Sequence, residues 1–270
     1  RVAVGDRVVV MPQYPCGRCR LCLEGEYVYC EQSLDPQRET GNPAGWGTYA
    51  THMVKPDRLL VRVPDGMSIE HASMANCGLG PAFGGARRVE LTGEDTVLVT
   101  GLGPVGLGAV LVAKWMGARV VATDVHPYRL QLAQALGADQ VLRADDPEVL
   151  VQVRSWSGGS GVDKVLECSG SPRGQRLGID AIRRLGAYAF VGEAVEVSRD
   201  LIRKGLTVHG SWYYNLADTV PLLRLISECG PQIDRLITHR FPMEQVEQAW
   251  ALQERGECGK VLLLPSASPS

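Results

Sequence analysis

The sequence predicts an α/β protein in which a doubly wound parallel sheet is joined to a lobe clipped together by a metal ion. Three observations lead there. Four of the eight cysteines fall within PCGRCRLCLEGEYVYC, Pro15 to Cys30. A glycine-rich turn, GLGPVG, separates an apolar strand pattern from an apolar helix pattern. From that turn onward strands and helices alternate, which implies parallel strands joined by helical crossovers.

The chain has 270 residues, 45% of them hydrophobic and 21% charged, with a net charge of −2. That length suits one large domain or two ordinary ones. The near-neutral balance gives no electrostatic reason to bind nucleic acid or an anionic membrane. No apolar run reaches the length of a membrane span, and nothing resembles a signal peptide. The expected compartment is therefore the cytoplasm, where thiols stay reduced. The chain opens on Arg1 and runs straight into VGDRVVV, already a strand pattern, so further sequence is expected upstream.

Cys16, Cys19, Cys22 and Cys30 follow C-x2-C-x2-C-x7-C. A C-x2-C step lets two thiolates reach one ion while backbone N–H groups point at the sulfurs. Four thiolates close a tetrahedral shell and leave no position for substrate, which favours a structural Zn2+ site. Gly17, Gly25 and Pro15 supply the tight turns. A reducing compartment argues against disulfides, and an iron–sulfur cluster is the competing metal reading. Cys168, Cys229 and Cys258 show no pairing pattern.

Extended runs GTYATHMV and RLLVRVP and a helix over 68–77 precede the glycine turn. There a strand over 96–100 leads through Gly101, Gly103 and Gly106 into a helix over 105–116. A second strand over 119–123 then ends at Asp124. G-x-G-x-x-G in this context is a dinucleotide-binding pattern of the Rossmann type. Gly101 permits the tight turn, Gly103 lets the backbone approach a pyrophosphate, and Gly106 lets the helix lie close on the strand. The helix N-terminus, opening with Pro104 and Val105, faces the phosphates. Asp124 is placed to accept hydrogen bonds from the adenosine ribose, which favours NAD over NADP because a carboxylate repels a 2′-phosphate. Arg129, one turn into the next helix, sits beside that ribose or reads a phosphate there.

Helices over 128–136, 148–155 and 174–184 then alternate with strands over 140–142, 162–167 and 187–191, and 206–209 reads as a sixth strand. SWSGGSGVD is the main flexible loop. Helices over 218–229 and in MEQVEQAWALQ follow, then a last strand, KVLLL. The closing PSASPS reads as disordered. Glu167 stands at a strand end facing the ligand side, with a possible role as polar lining.

A four-cysteine lobe before a dinucleotide-binding sheet resembles the zinc-containing medium-chain alcohol dehydrogenase family. The likeness covers nearly the whole chain: VGDRVVV, PCGRCRLC with YC, GWGTYA, GLGPVGLGAVLVAKWMGA, Asp124, ITHRF and GKVLLL. It implies a partial GroES-like, β-rich catalytic domain with the zinc lobe over 1–78, a Rossmann NAD-binding domain over 79–215, and a return to the catalytic domain over 216–270. By the same resemblance Lys260 lies near the cofactor phosphates, and Val191 and Gly192 meet the nicotinamide end. Strand LTVHGSW pairs subunits, so a homodimer or homotetramer is implied.

The family's chemistry uses a second, open zinc whose metal stabilises an alkoxide that passes a hydride to the nicotinamide. Cys77, in ANCGLGPAFGG, falls where the family places the last of three ligands to that zinc. The family's other two, a Cys near a Ser or Thr relay and a His in Gly-His-Glu, lie upstream of VGDRV. No Gly-His-Glu occurs in this chain; His52 and His71 are the nearest candidates to substitute, and each reads first as an ordinary loop or helix residue. Pro81 departs from a hydroxyl residue that many relatives carry beside the nicotinamide. The expected function is a zinc- and NAD-dependent oxidoreductase acting on a secondary alcohol, polyol or amino alcohol. The alternative is a catalytically inactive, zinc-stabilised dinucleotide-binding protein, and a zinc-free reductase is a third reading.

Overall fold

The computed structural model describes residues 2–41, 49–192 and 203–265. GWGT in the GWGTYA motif and the closing SASPS lie outside them. The central feature is a six-stranded, wholly parallel sheet in the order β5-β4-β3-β6-β7-β8. Its strands are β3 (Thr96–Thr100), β4 (Arg119–Asp124), β5 (Gln140–Arg143), β6 (Val162–Glu167), β7 (Ile182–Phe190) and β8 (Thr207–Gly210). The chain builds outward from β3 to β5, returns to β6 on the other side of β3, and continues to β8. The C-terminal ends of β3 and β6 therefore flank the topological switch point, where an open α/β sheet leaves a crevice for ligand.

TVLVT in β3 is buried at every position. A strand covered on both faces reads as an unbroken apolar run, because there is no wet face to alternate toward. One face carries α4 (Gly80–Arg88), α5 (Pro104–Trp115) and α6 (Pro127–Ala135), and the other carries α7 (Val149–Trp156) and α8 (Pro172–Ala181). The Tyr188 and Phe190 rings of β7 meet at 4.5 Å between centres, tilted by 42°, within the second core.

Two small sheets adjoin this layer. β1 (Val8–Val10) pairs antiparallel with β2 (Leu60–Arg62). β9 (Ile237–Pro242) pairs parallel with β10 (Lys260–Leu264). Between β1 and β2 lie α1 (Arg20–Leu23) and α2 (Pro36–Thr40), and α3 (Ile69–Ser73) follows. After β8 come α9 (Thr219–Glu228), α10 (Gly230–Leu236) and α11 (Val246–Arg255). Two side-chain contacts tie α3 to the C-terminal elements: an ion pair of Arg240 with Glu70 at 2.6 Å and a hydrogen bond between His71 Nε2 and Asp234 at 2.6 Å.

Several expected elements differ. Residues 49–54 form no strand. α3 ends at Ser73 instead of running to 77, because the chain turns through Gly78 at φ +115° into α4, a helix the sequence did not announce. α8 starts two residues early, where Ser171 accepts from Gly174 N–H and Pro172 sits in the first turn. It stops at Ala181 and the chain enters β7 at Ile182. Lys204 Nζ takes the carbonyls of Ile179, Asp180 and Ile182 there, and Arg183 reaches back to Asp163 at 2.6 Å. β9 and α10 were also unannounced. No helix among the described residues is long and apolar enough to cross a membrane.

Candidate functional site

The four clustered cysteines converge. Their sulfur atoms lie within 4.8 Å of one another. A tetrahedron with Zn–S bonds of ~2.3 Å has edges of ~3.8 Å, so a small contraction closes the shell. The backbone already treats these sulfurs as acceptors: Cys19 N–H donates to Cys16 Sγ at 3.3 Å, and Cys16 N–H to Cys30 Sγ at 3.2 Å. The Cys22 backbone N–H draws the Cys19 thiol down to about 6, whereas burial pushes Cys22 up to about 12. A cation among them relieves the cost of ionising the buried Cys22. The lobe is joined to α4 and the segment after β8. Arg88 pairs with Glu26 at 2.7 Å, Asn215 donates to the same carboxylate at 2.8 Å, and the Arg88 guanidinium lies 4.6 Å from the Tyr29 ring centre.

At the switch point a cleft of about 370 Å³ is lined by Gly101, Gly103, Asp124, Arg129 and Arg173, among others. Gly101 has φ +79°, and a Cβ there would fall 2.4 Å from Ser169 Cα. A Cβ on Gly106 would fall 1.8 Å from the Gly101 carbonyl oxygen, so the glycine lets α5 close on the turn itself. A Cβ on Gly103 would meet nothing within 4 Å; this is the position that opens toward a ligand. Gly103 caps α5 with no side-chain bond and Pro104 begins the helix, so the first-turn N–H groups remain available to an anion. Val105, half-buried, packs on the core beneath.

Asp124 is buried, and both its oxygens already hold backbone. Leu102 N–H donates to Oδ2 at 2.6 Å and His126 N–H to Oδ1 at 2.8 Å. The carboxylate thus staples the glycine turn to the end of β4, a second task beside the expected one, and keeps lone pairs for a ligand. Arg129 Nε is buried with no hydrogen-bond partner. Val191 and Gly192 lie outside the lining of this cleft, past the end of β7, where both N–H groups donate to the Glu167 carbonyl. Lys260 opens β10, half-buried, and is not among the lining residues, whereas Gln253 of α11 is. Ser169, Ser171, Arg173, His126 and Gln253 went unnoticed as lining residues. The Ser-x-Ser-Pro-Arg run after β6 carried the signal, since a Ser-Pro helix start at a strand's C-terminal end faces the crevice.

Residues 1–65 match the alcohol dehydrogenase GroES-like domain, and residues 104–228 match the zinc-binding dehydrogenase family. An uncharacterized zinc-type alcohol dehydrogenase-like protein, YphC, of Escherichia coli K12 is 34% identical over 96% of this chain and 74% of its own length. The L-threonine 3-dehydrogenase of Symbiobacterium thermophilum is 34% identical over 97% of this chain and 75% of its own. The chain belongs to the zinc-type medium-chain alcohol dehydrogenase family. Solved structures agree. Alcohol dehydrogenase TADH from Thermus sp. ATN1 superposes with TM-score 0.85 at 28% identity, covering 97% of this chain and 79% of its own. A protein named short chain alcohol dehydrogenase (rspB), of E. coli CFT073 and complexed with NADH, gives 0.80 at 25%, covering 97% and 77%.

For a zinc-type alcohol dehydrogenase, the position of Cys77 is informative. It is exposed in the turn between α3 and α4. The next residue packs on α5: a Cβ on Gly108 of that helix would fall 2.0 Å from the Gly78 carbonyl oxygen. Cys77 is thereby held beside α5. Among the described residues, however, the four-cysteine cluster is the only group of three or more metal-binding side chains. His71 is engaged by Asp234, and exposed His52 contacts Thr51. The described residues fit a closed four-thiolate zinc, and they do not by themselves fit a second, catalytic one.

Proposed function

We propose that this oxidoreductase moves a hydride between an alcohol and NAD, and that its four-cysteine lobe holds a structural zinc. The observation that carries the reading is the uncapped N-terminus of α5, opening through Gly103 into a cleft that Asp124 and Arg129 line. In this reading the first-turn N–H groups of α5, beginning past Pro104 with Val105, bind the pyrophosphate. The spare lone pairs of Asp124 accept from the adenosine ribose and Arg129 flanks it. Val191 and Gly192 border the nicotinamide end, and Lys260 approaches the phosphates from β10. Bound NAD supplies the hydride acceptor. Cys77 would offer its thiolate as one ligand to a catalytic zinc. The kinship with proteins named L-threonine 3-dehydrogenase supports an amino alcohol over a simple secondary alcohol or polyol. The outer edge of β8, exposed at Thr207 and Val208, is the surface proposed for subunit pairing in a homodimer or homotetramer.

The test is an alcohol panel assayed for NADH formation with the full natural protein. The reading expects turnover with an amino alcohol, and a Cys77→Ala variant that binds NADH normally without turning over. Turnover that survives Cys77→Ala would overturn the ligand role of Cys77.

A further inference from the structure

Glu167 is fully buried at the C-terminal end of β6, beside the switch point. Its Oε1 accepts from the backbone N–H groups of Ser169 at 2.8 Å and Gly170 at 3.0 Å, and from the Ser169 hydroxyl. Its Oε2 is buried with no hydrogen-bond partner. All the groups bonded to it are neutral. An uncompensated buried carboxyl of this kind is costly, and such groups persist where they act.

Its surroundings say where it acts. Ser169 is clamped between the glycine turn and α8, since a Cβ on Gly101 would fall 2.4 Å from Ser169 Cα and one on Gly174 would fall 2.2 Å from its Oγ. The Glu167 carbonyl takes the Val191 and Gly192 N–H groups at 2.9 and 3.0 Å. A Cβ on Gly192 would fall 2.9 Å from Oε2 and 2.5 Å from Gly170 N, so this oxygen lies close against the Gly192 backbone. With adenosine at the end of β4 and pyrophosphate at the turn after β3, a dinucleotide crossing the crevice lays its second nucleoside over the ends of β6 and β7. That is where Oε2 stands.

We infer that Glu167 is a positioning residue that holds the 168–171 turn with one carboxylate oxygen and, with the charge of the other, favours the cationic oxidised nicotinamide over the neutral reduced one. This inference rests on the NAD reading above. Burial pushes the Glu167 carboxyl up, and the Ser169 and Gly170 donors pull it back. The other titratable groups facing it, the Cys168 thiol and the Tyr188 phenol on β7, are both pushed up by burial and by the Glu167 charge, so they stay neutral. His126 lies at the adenosine end, which both nucleotide forms share.

The experiment measures the dissociation constants of NAD+ and NADH for wild type, Glu167→Gln and Glu167→Asp. Glutamine keeps an acceptor for Ser169 and Gly170 and removes the charge. The expected result is a loss of NAD+ affinity relative to NADH on the order of tenfold, as for one unit charge acting across several ångströms of intermediate dielectric. Aspartate keeps the charge on a shorter arm, so both affinities weaken while their ratio stays near wild type. Acidifying the wild type gives the same test without a substitution. The ratio should drift toward the Glu167→Gln value as the carboxyl takes up its proton. A ratio unchanged in Glu167→Gln and flat with pH in wild type would overturn the inference while leaving the NAD reading standing. Failure of wild type to bind either nucleotide would overturn both.

Discussion

The four-cysteine lobe and the cleft at the switch point are built by opposite means. The lobe draws all four sulfurs from one short stretch, and the hydrogen bonds to those sulfurs come from the same stretch. The cleft draws its walls from β3, β4, α6, α8, α11 and the turns that follow β3, β5 and β6, spread from Thr100 to Gln253. A local site can be encoded as a spacing. A distributed one depends on where distant backbones touch, and glycines mark those points. The two regions should therefore break differently.

The largest effect belongs to the lobe. Removing its metal by chelation, or by Cys22→Ser, is expected to cost several kcal/mol, because the binding energy of a structural zinc is folding energy. Zinc content and thermal unfolding measure it, and NADH binding should survive if the regions are as separate as their construction implies. Gly106→Ala comes next. Its methyl group would overlap the Gly101 carbonyl oxygen, with an expected loss of about 3 kcal/mol from overpacking, read by denaturant unfolding. The pH response should divide the regions again. Protons compete with zinc for thiolates, and Cys22 ionises reluctantly because it is buried, so zinc retention should fall as pH falls. Zinc release followed against pH checks the sign. The smallest effect is at the joint. Arg88→Ala removes the partly exposed pair with Glu26 and should cost about 1 kcal/mol, with zinc and NADH binding retained.

The same contrast explains what the sequence revealed. The cysteine cluster, β3, β6 and the glycine turn were legible because each is a short pattern with a single physical reading. α4 was not, because GPAFGGARR carries three glycines and a proline, which oppose a helix on propensity. The structure gives the reason: a Cβ on Gly84 would fall 1.9 Å from the Tyr213 carbonyl oxygen, so α4 keeps its glycines to lie against the segment after β8. β9 was hidden because ITHRFP mixes polar and apolar positions and ends in proline, and its strand identity comes from pairing with β10. Asp124 was recognised for a ligand role, but its hold on Leu102 and His126 is a tertiary fact that no spacing encodes. Ser169 became visible only once Gly101, Glu167 and Gly174 were seen to converge on it.

Nucleotide binding by Gly103→Val tests most directly the claim that the glycine turn is a dinucleotide site. Gly103 has φ −64° and open space around its missing side chain, so valine fits the protein and intrudes only on a ligand. The expected result is NADH binding by wild type, with loss of that binding and an unchanged melting temperature in the variant. Equal binding by both proteins would contradict the claim.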